Sequence, residues 1–168
     1  MKYQYLEAPN HPGKLYIRDW SRSIFLGGSI TGAMDWQKDA AAKLLPHFNV
    51  FNPRRENFDV TDKDAEHIQI SWEHQYLSKV EVLLFYFDHA TLAPITLLEY
   101  GAALESSKIS TWQHVYAAIH PDYKRKNDVV IQTELRNPKW VRNISFNLND
   151  TIDKIIHDYG PRPVPVNS

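Results

Sequence analysis

Six consecutive apolar or aromatic residues, Val82-Leu83-Leu84-Phe85-Tyr86-Phe87, constrain the fold more than any other stretch of the chain. A strand apolar on both faces belongs in the middle of a parallel sheet that helices cover on each side. The neighbouring sequence agrees. Ser23-Ile24-Phe25-Leu26 is a short β-prone run ending at Gly27-Gly28, and Asn49-Val50-Phe51 is another, stopped by Asn52-Pro53. Residues 112–119 and 129–135 read as two further strands. Between them lie helical patterns. Asp35 is placed to cap a helix with Trp36, Ala40, Leu44 and Leu45 on one face, and residues 65–78 carry Ile68, Trp72 and Leu77 toward a buried side. Pro94 suits the first turn of a helix that continues over 95–106, and Asp150 is placed to cap a last one reaching Tyr159. Strand and helix alternate throughout. The expected fold is α/β: a doubly wound, mainly parallel sheet with helices on both faces, flavodoxin- or Rossmann-like.

The 168 residues read as a single domain with its core at about 23–159, preceded by a short extension and followed by a proline-rich tail. With 19 Lys plus Arg against 20 Asp plus Glu, the formal charge of −1 argues against a partner held through phosphate contacts, so no nucleic acid polymer is expected. Cysteine is absent, which excludes disulfides, thiolate catalysis and cysteine-ligated zinc. No apolar stretch approaches the roughly 20 residues that span a bilayer, so no membrane is expected as a partner. The polar, aromatic start lacks the pattern of a signal peptide, and a cytoplasmic location is the expectation.

In a doubly wound sheet the ligand crevice lies beyond the carboxyl ends of the strands. That rule selects three segments: Gly27-Gly28-Ser29-Ile30-Thr31-Gly32, Asn52-Pro53-Arg54-Arg55, and Asp88-His89. The first offers backbone N–H groups and two hydroxyls to a sugar or phosphate, or else merely lets sheet and helix approach. It matches neither the dinucleotide nor the phosphate-loop spacing. Arg54 and Arg55 suit an anion, or a surface ion pair with Glu56 or Asp59. The acidic residues are sharper. Asp88 ends the central strand, and Glu99 follows 11 residues later among Leu97, Leu98, Tyr100, Gly101, Ala102 and Ala103. A carboxylate in such surroundings carries a desolvation cost unless it has a partner or a chemical task. Glu73, on the preceding helix, is a candidate third carboxylate. His67, His74 and His89 show no ligand spacing for a metal, and there is no Gly-x-Ser-x-Gly elbow for a serine nucleophile.

Taken together, Ile24-Phe25-Leu26-Gly27-Gly28-Ser29-Ile30, Val50-Phe51-Asn52-Pro53-Arg54-Arg55, Tyr86-Phe87-Asp88 and Leu97-Leu98-Glu99-Tyr100-Gly101 resemble the nucleoside 2-deoxyribosyltransferase family, most closely its second, transferase-like branch. The resemblance runs from about Ser23 to Leu135. It implies a five-stranded doubly wound sheet and cofactor-free exchange of the base on a 2′-deoxynucleoside, with a free nucleobase as the other small-molecule partner. It implies that Glu99 is the nucleophile, that Asp88 helps hold the sugar hydroxyls, and that Glu73 stands where the family has an aspartate facing the base. Gly27, Gly28, Ser29 and Arg54 fall in its binding segments. Phe25 replaces a tyrosine that touches the nucleophile in better-known members, so Tyr86, Tyr100 or Ser29 would have to orient Glu99. Trp72 or Phe25 would stack on the base. The 126–129 segment resembles one that lends an asparagine to the sugar site, often of a neighbouring subunit, here with Asn127 displaced by one position and Asp128 in its slot. A homo-oligomer, dimer or higher, is implied, with Tyr3, Tyr5, Tyr16, Trp20 and Trp140 as candidate contact surfaces or as cover for the domain's own core.

Three functions fit these residues. The first is transfer through a covalent deoxyribosyl-glutamate with retention of configuration. The second is hydrolysis of a 2′-deoxynucleoside or its 5′-monophosphate, since water competes with the incoming base. The third is a nucleotide-sensing module without turnover, which the fold alone would allow.

Overall fold

A computed structural model describes residues 3–11, 20–55 and 62–160. In chain order the elements are β1 (Tyr5–Glu7), β2 (Ser23–Gly28), α1 (Trp36–Leu44), β3 (Asn49–Asn52), α2 (Ala65–Leu77), β4 (Val82–Phe87), α3 (Pro94–Ser106), β5 (His114–Ile119), α4 (Lys126–Arg136), a 3-10 helix (Pro138–Asn143), β6 (Ile144–Ser145) and α5 (Leu148–Tyr159). The strands form one sheet in the order β1-β3-β2-β4-β5-β6, with every described pairing parallel. Strands β2 to β6 take the 2-1-3-4-5 order of a doubly wound sheet, and β1 adds an edge beside β3.

The apolar run that demanded a covered sheet is β4, buried along its whole length. Its side chains alternate between two cores. Leu83, Phe85 and Phe87 pack with Trp72 and Tyr76 of α2, Tyr100 and Leu104 of α3, and Val129 of α4. Val82, Leu84 and Tyr86 pack with Trp36, Ala40 and Leu44 of α1 and with Ile152 and Ile155 of α5. At α1 the Asp35 carboxylate accepts from Lys38 N at 3.2 Å, the expected cap.

Four details differ from the sequence reading. Residues 129–135 are not a strand but most of α4: Val129 and Thr133, one helical turn apart, face the core, while Ile131 and Leu135 are exposed. Their β-branched content is satisfied by packing on a helix face, because tertiary context outweighs propensity. The fifth strand is instead the two-residue β6, and β1 makes a sixth. The cap of α5 is Asn147, whose side chain accepts from Asn149 N and Asp150 N, so Asp150 lies inside the first turn. On α2 the buried stripe is Trp72 and Tyr76, and Ile68 is exposed. Trp20 packs on Phe51 and Tyr76, and Trp140 is buried with its indole N–H donating to Ser107 Oγ at 2.8 Å, so both cover this domain's own core. Tyr5 is part-exposed on the edge strand. Tyr16, Glu56 and Asp59 lie outside the described residues.

The strand order reverses beside β2: the chain leaves β2 for β3 on one side and returns to β4 on the other. The crevice therefore opens between the carboxyl ends of β2 and β4. Close approach there depends on the two glycines. A Cβ at Gly27 would lie 2.8 Å from the Phe85 ring, and one at Gly28, where φ is +154°, would lie 2.6 Å from Tyr86 O and 2.7 Å from the Trp36 ring. Gly28→Ala is expected to destabilise the fold by about 2–4 kcal/mol through overpacking and backbone strain, read as a lowered denaturant midpoint.

Candidate active site

Helix α3 begins with Pro94 at its first turn, after Ala93 in the left-handed region at φ +45°. A non-glycine residue in that conformation is strained, a condition often found at functional sites. From there α3 buries Thr96, Tyr100, Ala103 and Leu104. The adjoining stripe, Ile95, Glu99 and Ala102, turns toward α2, which answers with Ile70, Glu73, His74 and Leu77 at the same helical spacing. Glu73 and Glu99 are thereby brought to one place.

Two hollows meet at that pair. A cavity of about 200 Å³ is lined by Phe25, Gly27, Gly28, Ser29, Ile30, Thr31, Pro53, Thr91, Ala93, Pro94 and Thr96 together with Glu73, Ile95 and Glu99. It lies at the switch crevice. A larger, mainly apolar groove of about 490 Å³ runs between α2 and α3 and is lined by the same Glu73, Ile95 and Glu99. The carboxyl pair stands at their junction.

Burial raises both carboxyls, because the charged form loses its hydration. For Glu99 the loss of water comes first and the charge of Glu73 adds to it, pushing the carboxyl up to about 8. Burial also raises Glu73, opposed by a hydrogen bond from Gln69 and by the Arg55 charge. Gln69 Nε2 donates to Glu73 Oε1 at 2.6 Å and to Pro53 O at 2.7 Å. Each carboxyl's charge disfavours ionisation of the other, so the two titrate as coupled groups.

The structure gathers Phe25, Gly27, Gly28, Ser29, Glu73 and Glu99 at the cavity and leaves the other expected residues elsewhere. Asp88 is buried at the end of β4 with its carboxylate accepting from Ala90 N at 2.7 Å, and it is not among the cavity-lining residues. Trp72 is 2% exposed, packed against Phe25, Phe51 and Tyr76, and its indole N–H donates to Asn10 O, so it supports the cavity from within the core and offers no face to a base. Arg54 donates to Met34 O, Ala33 O and Gln37 Oε1, bracing the 31–37 segment. Asn127 lines a separate depression with Pro121, Val130 and Phe146, and Asp128 pairs with Arg125 at 3.4 Å.

Of the hydroxyls considered for orienting Glu99, two are committed. Tyr100 is hydrogen-bonded to Thr133 at 2.7 Å, and Tyr86 lies in the opposite core with its phenol pushed up to about 12 by burial and by Asp88. Ser29 Oγ is buried without a hydrogen-bond partner among the described residues, while its carbonyl accepts from Trp36 Nε1 and Gln37 Nε2. Sequence reasoning missed Gln69, although the Gln69–Glu73 spacing of one helical turn was a readable signal. It also missed Thr91 and Thr96, which only the turn into α3 brings to the cavity. Among the described residues no cluster of His, Asp and Glu is arranged to hold a metal, and no helix is long and apolar enough to cross a membrane.

A parallel sheet with a glycine-lined crevice and a desolvated glutamate on the helix after its central strand meets an independent finding. The sequence profile described as nucleoside 2-deoxyribosyltransferase like matches residues 21–113, more than half of the chain. The chain belongs to that family. The match spans β2 through α3, ending just before β5, and so includes Gly27-Gly28-Ser29, Glu73 and Glu99. No curated protein matches the chain.

The raised Glu99 carboxyl has a consequence for stability. Its folded value, about 8, exceeds that of an unfolded glutamate, near 4.3, so between those pH values the native state binds more protons and stability falls as pH rises. Glu99→Gln is expected to leave stability at pH 4 nearly unchanged and to raise it at pH 9 by on the order of a few kcal/mol, read from urea midpoints at both pH values.

Proposed function

We propose that this chain transfers a 2-deoxyribosyl group between nucleobases, with Glu99 as nucleophile and Glu73 as the carboxyl that passes a proton to the leaving base. The observation that carries the reading is the placing of two carboxyls, Glu73 and Glu99, in the wall of the one cavity at the switch crevice. The polar side of the cavity, from Ser29 and Thr31 to Thr91 and Thr96, suits sugar hydroxyls. Ile95, 62% exposed, supplies an apolar side against which a base can lie, with Phe25 and Pro53 buried behind the cavity wall.

Glu99 attacks C1′ as the bond from C1′ to the base nitrogen breaks. The electron pair of that bond goes to the base, which takes the pair's proton through Glu73. The products are a deoxyribosyl ester of Glu99, an ionised Glu73 and a neutral free base. A second base attacks the same carbon, returns its own proton to Glu73 and releases Glu99, so two inversions give net retention. The transition state is oxocarbenium-like, and the carboxylate charge is poised beside C1′ in a site with little water to screen it. A 2′-hydroxyl would withdraw electrons from that cation, which favours deoxy sugars. Water reaching the ester gives hydrolysis by the same residues. A sensor without turnover has no use for a carboxyl held against its ionisation. Asn127, outside its own chain's cavity, serves a neighbouring copy in the homo-oligomer that the resemblance implies.

Incubating a deoxynucleoside with a second free base is expected to yield the new nucleoside, and intact mass spectrometry of wild type without acceptor is expected to show a sugar adduct. Glu99→Ala is expected to abolish adduct, exchange and hydrolysis. Full turnover in that variant would end the assignment, and free deoxyribose without a new nucleoside would make the protein a hydrolase. The rate of exchange is expected to be bell-shaped in pH. The alkaline limb falls near pH 8, where the pair loses its last proton, and the acid limb falls where it gains a second.

A further inference from the structure

Gln69 lies one helical turn before Glu73 on α2, and its contacts fix which way its amide points. Arg55 Nε can only donate, so the Gln69 oxygen faces it, and Pro53 O can only accept, so the Gln69 NH2 faces that carbonyl. The second proton of the same NH2 reaches Glu73 Oε1 at 2.6 Å. Arg55 is itself held by a bond of 3.0 Å from Nη2 to Ala65 O, at the start of α2. Gln69 can therefore only donate to Glu73, and a carboxyl that receives such a bond is favoured as the anion. Among the described residues no such donor reaches Glu99, whose carboxyl shares the cavity wall with that of Glu73.

We propose that Gln69, clamped by Arg55 and Pro53, is a positioning residue that keeps Glu73 the ionised member of the pair and leaves the shared proton on Glu99 in the free protein. The inference rests on the transfer reading above and deepens it: Glu99 becomes a nucleophile only when its proton crosses to Glu73 as the base is seated. Among the described residues, the charged and titratable groups facing Glu73 are few. Arg55 comes from the segment after β3, Glu99 from α3, and His74 on α2 itself lines the same groove. The directions of the two carboxyl shifts agree, since Gln69 and Arg55 oppose the rise at Glu73 and no group opposes it at Glu99.

The test is a carboxyl ¹³C NMR titration of the full chain labelled at glutamate, with the two signals assigned through Glu73→Gln and Glu99→Gln. In wild type Glu73 is expected to titrate below Glu99. In Gln69→Met its titration is expected to move up by about one pH unit, the loss of a hydrogen bond to a charged group. The acid limb of the exchange rate should move up with it, so that activity falls more at pH 5 than at the optimum. Arg55→Met, which leaves Gln69 in place but frees its amide to turn, should move Glu73 in the same direction. Glu73 titrating above Glu99 in wild type, or unmoved in both folded variants, overturns the inference. A shifted Glu73 titration in a protein that performs no exchange would sink the transfer reading and leave the clamp standing.

Discussion

Two partly buried carboxyl groups brought to the same spot are the constraint on which the rest of this structure depends. Neither Glu73 nor Glu99 can shed its partner's influence, because α2 and α3 are each anchored behind them by a buried aromatic stripe: Trp72 and Tyr76 on one, Tyr100 with Leu104 on the other. Those anchors pack the helices against Phe85 and Phe87 of β4 and so set where the two glutamates leave the backbone. Placing like charges together away from water costs folding energy, and the raised Glu99 carboxyl is the sign of that cost. The same arrangement gives the pair its chemical potential, since a carboxyl poised near neutrality can give or take a proton at physiological pH.

The glycines of β2 serve this constraint from the other side. Gly27 and Gly28 let the strand approach Phe85 and Tyr86 closely enough for the following loop to become one wall of the cavity. Arg54 and Gln37 brace that loop, and Arg55 reaches Gln69 on α2 instead. Two adjacent arginines thus divide the work: one holds the wall, the other holds the acid. Under the proposed reaction, the balance between transfer and hydrolysis follows from how fully an incoming base displaces water from the junction of cavity and groove.

The doubly wound sheet was legible because β4 is apolar on both faces and because glycine, proline and asparagine punctuate the neighbouring strands. Residues 129–135 misled for a physical reason: Val129, Val130 and Ile131 favour strands in isolation, but the buried bond between Tyr100 and Thr133 and the packing of Val129 hold them in a helix. The edge strands β1 and β6 were illegible, being too short to carry a pattern. At the site, the apolar flank of Glu99 announced its burial, and helical spacing announced its neighbours. Asp88 and Trp72 showed the limit of position along the chain. One ends the central strand yet turns its carboxylate to its own turn, and the other precedes Glu73 yet points into the core. Gln69 and the three-point clamp it forms depend on contacts across α2 and the segment after β3, which no single stretch of sequence displays.

Infrared titration of the unliganded protein reads the proton on the pair directly. A protonated-carboxyl band is expected to persist at pH 7, to disappear around pH 8, and to be missing from Glu99→Gln over the same range. Loss of that band by pH 5 in wild type would mean that both carboxyls ionise as ordinary glutamates do, and the shared proton at the centre of this account would not exist.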